Sequence, residues 1–294
     1  MISALIESGI VFREDESVAS YSTFKVGGVA ALSVFPKSRE ELITALRILF
    51  DAGTRAEIIG NASNMLFAFD SFDGALVFTG GVSGARVEGE RLYADCGSSL
   101  THISRLACES SLSGLEFAYG IPGLVGGSVY MNAGAYGSQI GAVLEYSDAY
   151  DRSSGEVVRI YDHGFGYRES IYMERPELVC LGGCFALALG ERDAISAKMR
   201  ENMDSRKKNQ PLEFPSAGSY FKRPEGHFAG KLIEDCGLKG MRVGGAEVSE
   251  KHAGFIINRG GATWQDILAL EEKIKEIVMS RYGVLLEREV RLIK

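Results

Sequence analysis

The sequence is short of nearly everything that would mark a secreted, metal-binding or nucleic-acid-binding protein. Its five cysteines (Cys96, Cys108, Cys180, Cys184 and Cys236) are odd in number and lie in apolar stretches, so they read as buried thiols in a reducing compartment. Cys180 and Cys184 stand at an even offset within LVCLGGCFALAL, a strand pattern that puts both on one face as core side chains. The four histidines (His102, His163, His227 and His252) form no HExxH motif and CxxC is missing, so no metal is assigned. Basic residues are not in excess: 32 Lys and Arg against 39 Asp and Glu give a net charge of −7. That excludes a general nucleic-acid surface and obliges any anionic ligand to meet a local cationic patch. No apolar run approaches the roughly 18 residues that cross a bilayer, and MISALIESGIVFREDES lacks the basic start of a signal peptide. The expectation is a cytoplasmic protein with neither membrane nor nucleic acid as a partner.

What the sequence does have is 294 residues, 46% of them hydrophobic, enough for one large or two ordinary globular domains. The most unusual stretch is Gly114 to Gly137, GLEFAYGIPGLVGGSVYMNAGAYG, too rich in glycine for an ordinary helix or strand and too apolar for a solvated linker. Gly120, Gly123, Gly126 and Gly127 would let main-chain N–H groups approach a diphosphate or a flavin ring closely. A tight connection packed in the core accounts for the same glycines.

Elsewhere ordinary patterns return. ALSVFP reads as a strand, Ser38 and Glu41 as a capping box, and Leu42, Leu46, Leu49 and Phe50 as the inner stripe of a helix ended by Gly53. AEIIG is a second strand, and Gly60, Asn61, Ala62, Ser63 and Asn64 leave it as a small polar turn of the kind that presents donors to phosphate, or simply turns. Gly89 sits in a hairpin, Ser99 caps a helix, and VLEYSDAYDRSSGEVVRIY forms another hairpin. A charged helix follows from Glu191 to Lys208, then the loop PLEFPSAGSYFKRPEG with its hydroxyls and cations, a helix over Phe228–Cys236, a helix capped by Thr263 and Asp266, and a last strand LLEREVRLI. In that strand Leu286, Arg288, Val290 and Leu292 face one way, and Glu287, Glu289 and Arg291 the other. The fold class is α+β.

Eight stretches, in order and over nearly the whole chain, are YSTFKVGG (from Tyr21), IGNASNML (from Ile59), Gly114–Gly137, YRES (from Tyr167), PSAGSYFKRP (from Pro215), GKLIEDCGLKG (from Gly230), Gly244–Asn258 and LEREV (from Leu286). Together they resemble the UDP-N-acetylenolpyruvoylglucosamine reductase family. The resemblance implies a vanillyl-alcohol-oxidase/PCMH-type FAD-binding fold of two subdomains, about 1–78 and 79–190, followed by a substrate-binding α+β domain at 191–294. It implies FAD as cofactor, cradled by Gly60, Asn61, Ala62, Ser63 and Asn64 and by Ile121, Pro122, Gly123, Gly126, Gly127 and Ser128. NADPH would be the reductant and a UDP-sugar the substrate: UDP-N-acetylglucosamine enolpyruvate, reduced to UDP-N-acetylmuramate for peptidoglycan.

The resemblance also assigns roles. Hydride from the flavin N5 leaves negative charge on the substrate's α-carbon and carboxylate, so the site needs a cation and a proton donor in line. Arg168 and Glu289 would polarise the carboxylate and Ser219 would deliver the proton, with Glu289 protonated or sharing a proton beside a second carboxylate. Tyr136, Tyr167, Lys222, Arg223, Lys251 and His252 would line the substrate, and Lys231 is a further cation for the diphosphate. Three departures stand out: Ala62 replaces a usual glycine and favours negative φ, Asn209 and Arg223 replace a common lysine and asparagine, and the tyrosine-bearing insertion of the longer family form is missing after Leu189.

Overall fold

The structure, a computed structural model, describes residues 1–294. Contacts divide the chain into two units, neither continuous in sequence. The first comprises Met1–Glu14, Leu32–Asn61 and Asp73–Ser205, and the second Asp15–Ala31, Ala62–Phe72 and Arg206–Lys294. The expected cuts at 78 and at 190/191 therefore do not follow the compact units. The helix Arg192–Asn209 keeps Ile195 and Met199 on Cys108 of the first unit. The early segments carry Phe24, Val26, Leu66 and Ala68 into the core of the second. A single cut in the sequence cannot register a chain that leaves a unit and returns.

In the first unit the strands run in the order Val11–Ser17, Val29–Phe35, Ser71–Phe78, Ala56–Ile59, the last pair parallel. Ser38 accepts from the Glu41 amide and starts the helix Arg39–Asp51, whose Leu42, Leu46 and Leu49 are buried with Leu32, Val34, Ala75 and Val77. Phe50 is 57% exposed, one residue and so ~100° round the helix from Leu49. The Glu41 carboxylate accepts from the Lys37 amide and leaves the capping box half made.

A five-stranded sheet, in the order Glu156–Ile160, Leu144–Asp151, Leu178–Ala186, Arg91–Asp95, Ala85–Glu88, is antiparallel throughout. The helix Leu100–Glu109, capped by Ser99, and the short helix Val125–Tyr130 bury Leu100, Ile103, Val125 and Val129 in a core with Leu92, Ala94 and Phe185. The even offset of Cys180 and Cys184 does not put them on one face. The register jumps from Asp148↔Gly182 to Ala149↔Cys180, and this bulge reverses the alternation. Cys180 joins the core with Phe185, whereas Cys184 lies opposite, its Sγ 3.6 Å from Glu145. All five cysteines are free, and burial pushes the Cys180 thiol up to about 11.

The second unit has the three-stranded sheet Arg242–Val243, Ala246–Val248, Ile256–Asn258, under the helices Ala229–Asp235 and Trp264–Tyr282. Thr263 and Asp266 complete their capping box. Ile233, Ile256, Ile267, Leu270 and Ile274 fill the core. Only Arg291–Ile293 of the expected final strand joins a ladder, parallel to Met65–Phe67. Leu286 and Val290 are buried as expected, but Ile293 takes the inner position anticipated for Leu292. No helix is long and apolar enough to cross a membrane.

Candidate active site

Two stretches separated by some sixty residues meet in the first unit. The Asn61 side chain donates to the Pro122 carbonyl at 2.7 Å, which ties the polar turn to the glycine-rich segment. The glycines divide by what a side chain would meet. A Cβ on Gly123 would lie 2.8 Å from Ser128 Oγ, and one on Gly126 would lie 3.0 Å from Cys96 Cβ, so packing alone requires both. A Cβ on Gly127 would meet nothing within 4 Å, and one on Gly60 only Leu124 at 3.9 Å. Packing does not demand these two. They leave bare backbone beside open space, as a flat or anionic ligand needs.

Beyond Ser128 the chain is held in unusual conformations. Asn132, Tyr136 and Arg168 have φ of 42°, 53° and 61°, a region that costs non-glycine residues about 1–2 kcal/mol and concentrates at functional sites. Asn132 is fully buried. Its Nδ2 donates to the Gly166 carbonyl and its Oδ1 accepts from the Gly141 amide, both at 2.9 Å. The Arg168 guanidinium donates to the carbonyls of Asn132 (3.4 Å) and Gly134 (3.3 Å) and lies 5.2 Å from the centre of the Tyr167 ring. Tyr136 is held by its hydroxyl on the Asn202 carbonyl at 2.8 Å. Tyr136 and the Asn132–Gly134 segment that fixes Arg168 thus lie on one stretch of chain.

The first unit also holds a buried polar set. Ser147 Oγ bonds both His163 Nε2 (2.8 Å) and Tyr172 Oη (2.7 Å), and His163 stacks on Phe165 with ring centres 4.7 Å apart. Burial lowers the His163 pKa, against a smaller opposing contribution from the Tyr161 backbone, and raises that of Tyr172.

In the second unit Ser219 follows Gly218, whose φ of +78° admits a sharp turn, and is exposed. The next residue, Tyr220, accepts a hydrogen bond at its carbonyl from the Glu289 amide at 2.9 Å, and Lys222 donates in turn to the Glu287 carbonyl at 2.8 Å. These bonds form a short antiparallel pair around Phe221 and Arg288. Asn64 Nδ2 donates to the Glu289 carbonyl at 3.3 Å, and the Arg291 amide donates to the Asn64 carbonyl at 3.0 Å. Ser219, Glu289 and the end of the polar turn are therefore adjacent within one unit. The Ala62 and Ser63 amides are not taken up by main-chain acceptors. Ala62 has a φ of 46° despite its Cβ, so the turn keeps the left-handed shape of a glycine loop at a cost in strain.

The cations expected around the substrate each have a partner of their own. Lys222 pairs with Glu287 at 3.3 Å, Lys251 with Glu213 at 3.7 Å, Lys231 with Asp235 at 2.5 Å, and Arg223 lies 4.8 Å from the centre of the Phe228 ring. His252 accepts from the Gly254 amide at 3.0 Å through Nδ1, packs edge-on to Phe255, and has its pKa lowered by burial. Through Nδ1 the ring is tied into its own loop.

With this geometry described, known proteins can be compared. Residues 210–293 match the model of the UDP-N-acetylenolpyruvoylglucosamine reductase C-terminal domain, and residues 30–161 that of an FAD binding domain. A UDP-N-acetylenolpyruvoylglucosamine reductase of Caldicellulosiruptor bescii is 44% identical over 98% of this chain and 93% of its own. The chain belongs to the UDP-N-acetylenolpyruvoylglucosamine reductase family. The reductase of the same name from Streptococcus pneumoniae strain 70585 is 42% identical over 98% of this chain and 96% of its own. The crystal structure of the Thermus caldophilus reductase superposes with a TM-score of 0.81 at 30% identity, covering 97% of this chain and 99% of that one.

The fold is accordingly the α+β, PCMH-type FAD-binding fold with the family's C-terminal domain. As a member of this reductase family the chain is an FAD-containing oxidoreductase. The donor set fits that cofactor: two glycines left bare beside open space and uncommitted amides at Ala62 and Ser63. The chain passes from the strand Ala188–Leu189 to the helix at Arg192 with no room for an inserted tyrosine loop, as in the shorter form of the family. Sequence reading missed the residues that hold the site. Asn132 was read only within a range, Tyr220 only within PSAGSYFKRP, and Arg288 only by its face of the last strand, although the latter two lie next to Ser219 and Glu289.

Proposed function

We propose that Arg168, Ser219 and Glu289 carry the reduction of the enolpyruvyl group of UDP-N-acetylglucosamine enolpyruvate to UDP-N-acetylmuramate, with NADPH as reductant. The supporting observation is a chain of hydrogen bonds, from the Asn64 side chain to the Glu289 carbonyl and from the Glu289 amide to the Tyr220 carbonyl, which joins the polar turn to both Glu289 and the residue after Ser219. Bound FAD, once reduced, supplies a hydride to the enolpyruvyl double bond. The chain's task is to hold the carboxylate, exclude water and return one proton to the α-carbon. Arg168 is anchored on the Asn132 and Gly134 carbonyls, and its planar fork suits a carboxylate. Ser219 Oγ delivers the proton, and Glu289 hydrogen-bonds the substrate carboxylate in protonated or proton-sharing form.

Lys222, Arg223 and Lys251 are the cations for the diphosphate. The exposed ion pairs of the two lysines contribute at most ~1 kcal/mol and yield to a doubly charged ligand. The cytoplasm is the compartment of this reading, in keeping with five free cysteines.

Anaerobic stopped-flow tests the reading. The yellow holoenzyme should bleach with NADPH and recover on addition of the enolpyruvyl sugar nucleotide. A protein that ignores NADPH but reacts with oxygen and a sugar would be an oxidase on the same fold. Glu289→Gln should slow recovery, and recovery at wild-type rate with a flat pH profile removes Glu289 from the chemistry.

A further inference from the structure

Outside the residues assigned so far, the most buried charge of the second unit is Glu271. It lies in the middle of the helix Trp264–Tyr282 and is fully buried. Its carboxylate is met by Lys275 Nζ at 2.5 Å, by Arg288 Nε at 3.0 Å and by the Tyr220 hydroxyl at 2.8 Å. Burying an ionised carboxylate is expensive even with partners, and a buried ion cluster can often be exchanged for apolar groups without loss of stability. Stability alone is therefore a poor reason for it. The identity of its partners suggests another. Tyr220 is the residue after Ser219, and Arg288 is the residue before Glu289.

We infer that Glu271 is a positioning residue for the reaction: one buried carboxylate grips the side chains beside the proton donor and beside the carboxylate partner, and so fixes Ser219 and Glu289 relative to each other. The Glu289 amide to Tyr220 carbonyl bond joins the same two segments from the backbone side. The pair is short, since only the bridge at Phe221 and Arg288 and its two flanking hydrogen bonds hold it. Gly218, at a φ of +78°, lies directly before Ser219 and offers little stiffness of its own. Without the carboxylate, Tyr220 and Arg288 lose their common anchor and the two segments are free to slide. A shift of about 1 Å is enough to cost roughly 100-fold in rate. Glu271 touches neither substrate nor cofactor and acts through its neighbours.

The inference rests on the assignment of Ser219 and Glu289, and the experiment separates the two. Glu271→Gln, Tyr220→Phe, Ser219→Ala and the double variant Glu271→Gln/Ser219→Ala are compared as FAD-loaded enzymes. The rate of flavin reduction by NADPH and the rate of reoxidation by substrate are measured separately. Amide exchange at Glu289 and thermal melting are followed alongside.

Glu271→Gln should slow reoxidation about 100-fold and leave reduction within about twofold of wild type. Tyr220→Phe, which keeps the packing, should slow the same step by about tenfold, as loss of one hydrogen bond to a charged group does. Exchange at the Glu289 amide should quicken in both. In the Ser219→Ala background Glu271→Gln should add little, because residues that act as a unit are not additive. If Ser219→Ala alone reoxidises at wild-type rate, the underlying assignment falls and the inference with it. Suppose instead that Ser219→Ala is slow while the other two single variants reoxidise normally, or lose both half-reactions in parallel with a lower melting temperature. Glu271 is then structural and the inference alone is overturned. Should Glu271→Gln fail to fold, Tyr220→Phe decides by the same criteria.

Discussion

The two units hold their functional side chains by opposite means. Around Arg168 the first unit uses backbone: left-handed residues at Asn132, Tyr136 and Arg168, one buried amide side chain, and main-chain carbonyls aimed at the guanidinium. Around Ser219 and Glu289 the second unit uses buried charge, with Glu271 gathering Lys275, Arg288 and Tyr220 beneath a short strand pair. Strain fixes a residue locally and survives changes of ionic strength. Charge reaches across elements and fails when one partner is removed.

That contrast can be tested by damaging each unit in turn. The largest effect should come from Ser219→Ala, which removes the proposed proton donor and should slow reoxidation by about 10²–10⁴-fold with flavin reduction intact. Equal loss of both half-reactions would make the serine structural. Arg168→Lys keeps the charge but loses the fork, and should cost about 10²-fold in kcat/KM for the sugar nucleotide. If lysine serves as well, carbonyl positioning of a planar group is not what the first unit provides.

Asn132→Ala should destabilise the first unit by about 2–4 kcal/mol in urea unfolding, since it strands the Gly166 carbonyl and the Gly141 amide and keeps a left-handed backbone. Ala62→Gly is the counterpart that relieves strain, and should raise stability by about 1 kcal/mol with FAD affinity kept or improved. No gain would mean that the loop relaxes.

The smallest effect is in pH. Burial, the leading cause, holds the His163 and His252 pKa values below the ordinary 6.5, so the folded protein keeps both rings neutral where the unfolded chain takes up protons. Stability should be level above about pH 6.5 and fall as the pH drops below it, and His163→Gln should flatten part of that slope.

Much of this was legible in the residues. Ser99 and Thr263 name their own helices, Gly89 its hairpin, and alternation marks the strands. The polar turn and the glycine stretch each stood out as candidates, and their resemblance to the reductase family assigned them to FAD. Three things were not legible. The Cys180–Cys184 offset misled because a bulge leaves no mark in an alternating pattern. The burial of His252 could not be read because it depends on Gly230, Gly254 and Phe255. The compact units could not be read because the segments 15–31 and 62–72 join partners more than a hundred residues away.

By itself, then, the sequence determined the elements and the reductase family, since caps, periodicity and short motifs are local and each acts within a few residues. Only the tertiary structure decided which glycines face open space, that Asn61 meets Pro122, that Ala62 accepts a glycine's conformation, and that Glu271 joins the neighbours of Ser219 and Glu289. Those depend on distances between residues far apart in the chain, and packing and electrostatics act on distance in space, not on order in sequence.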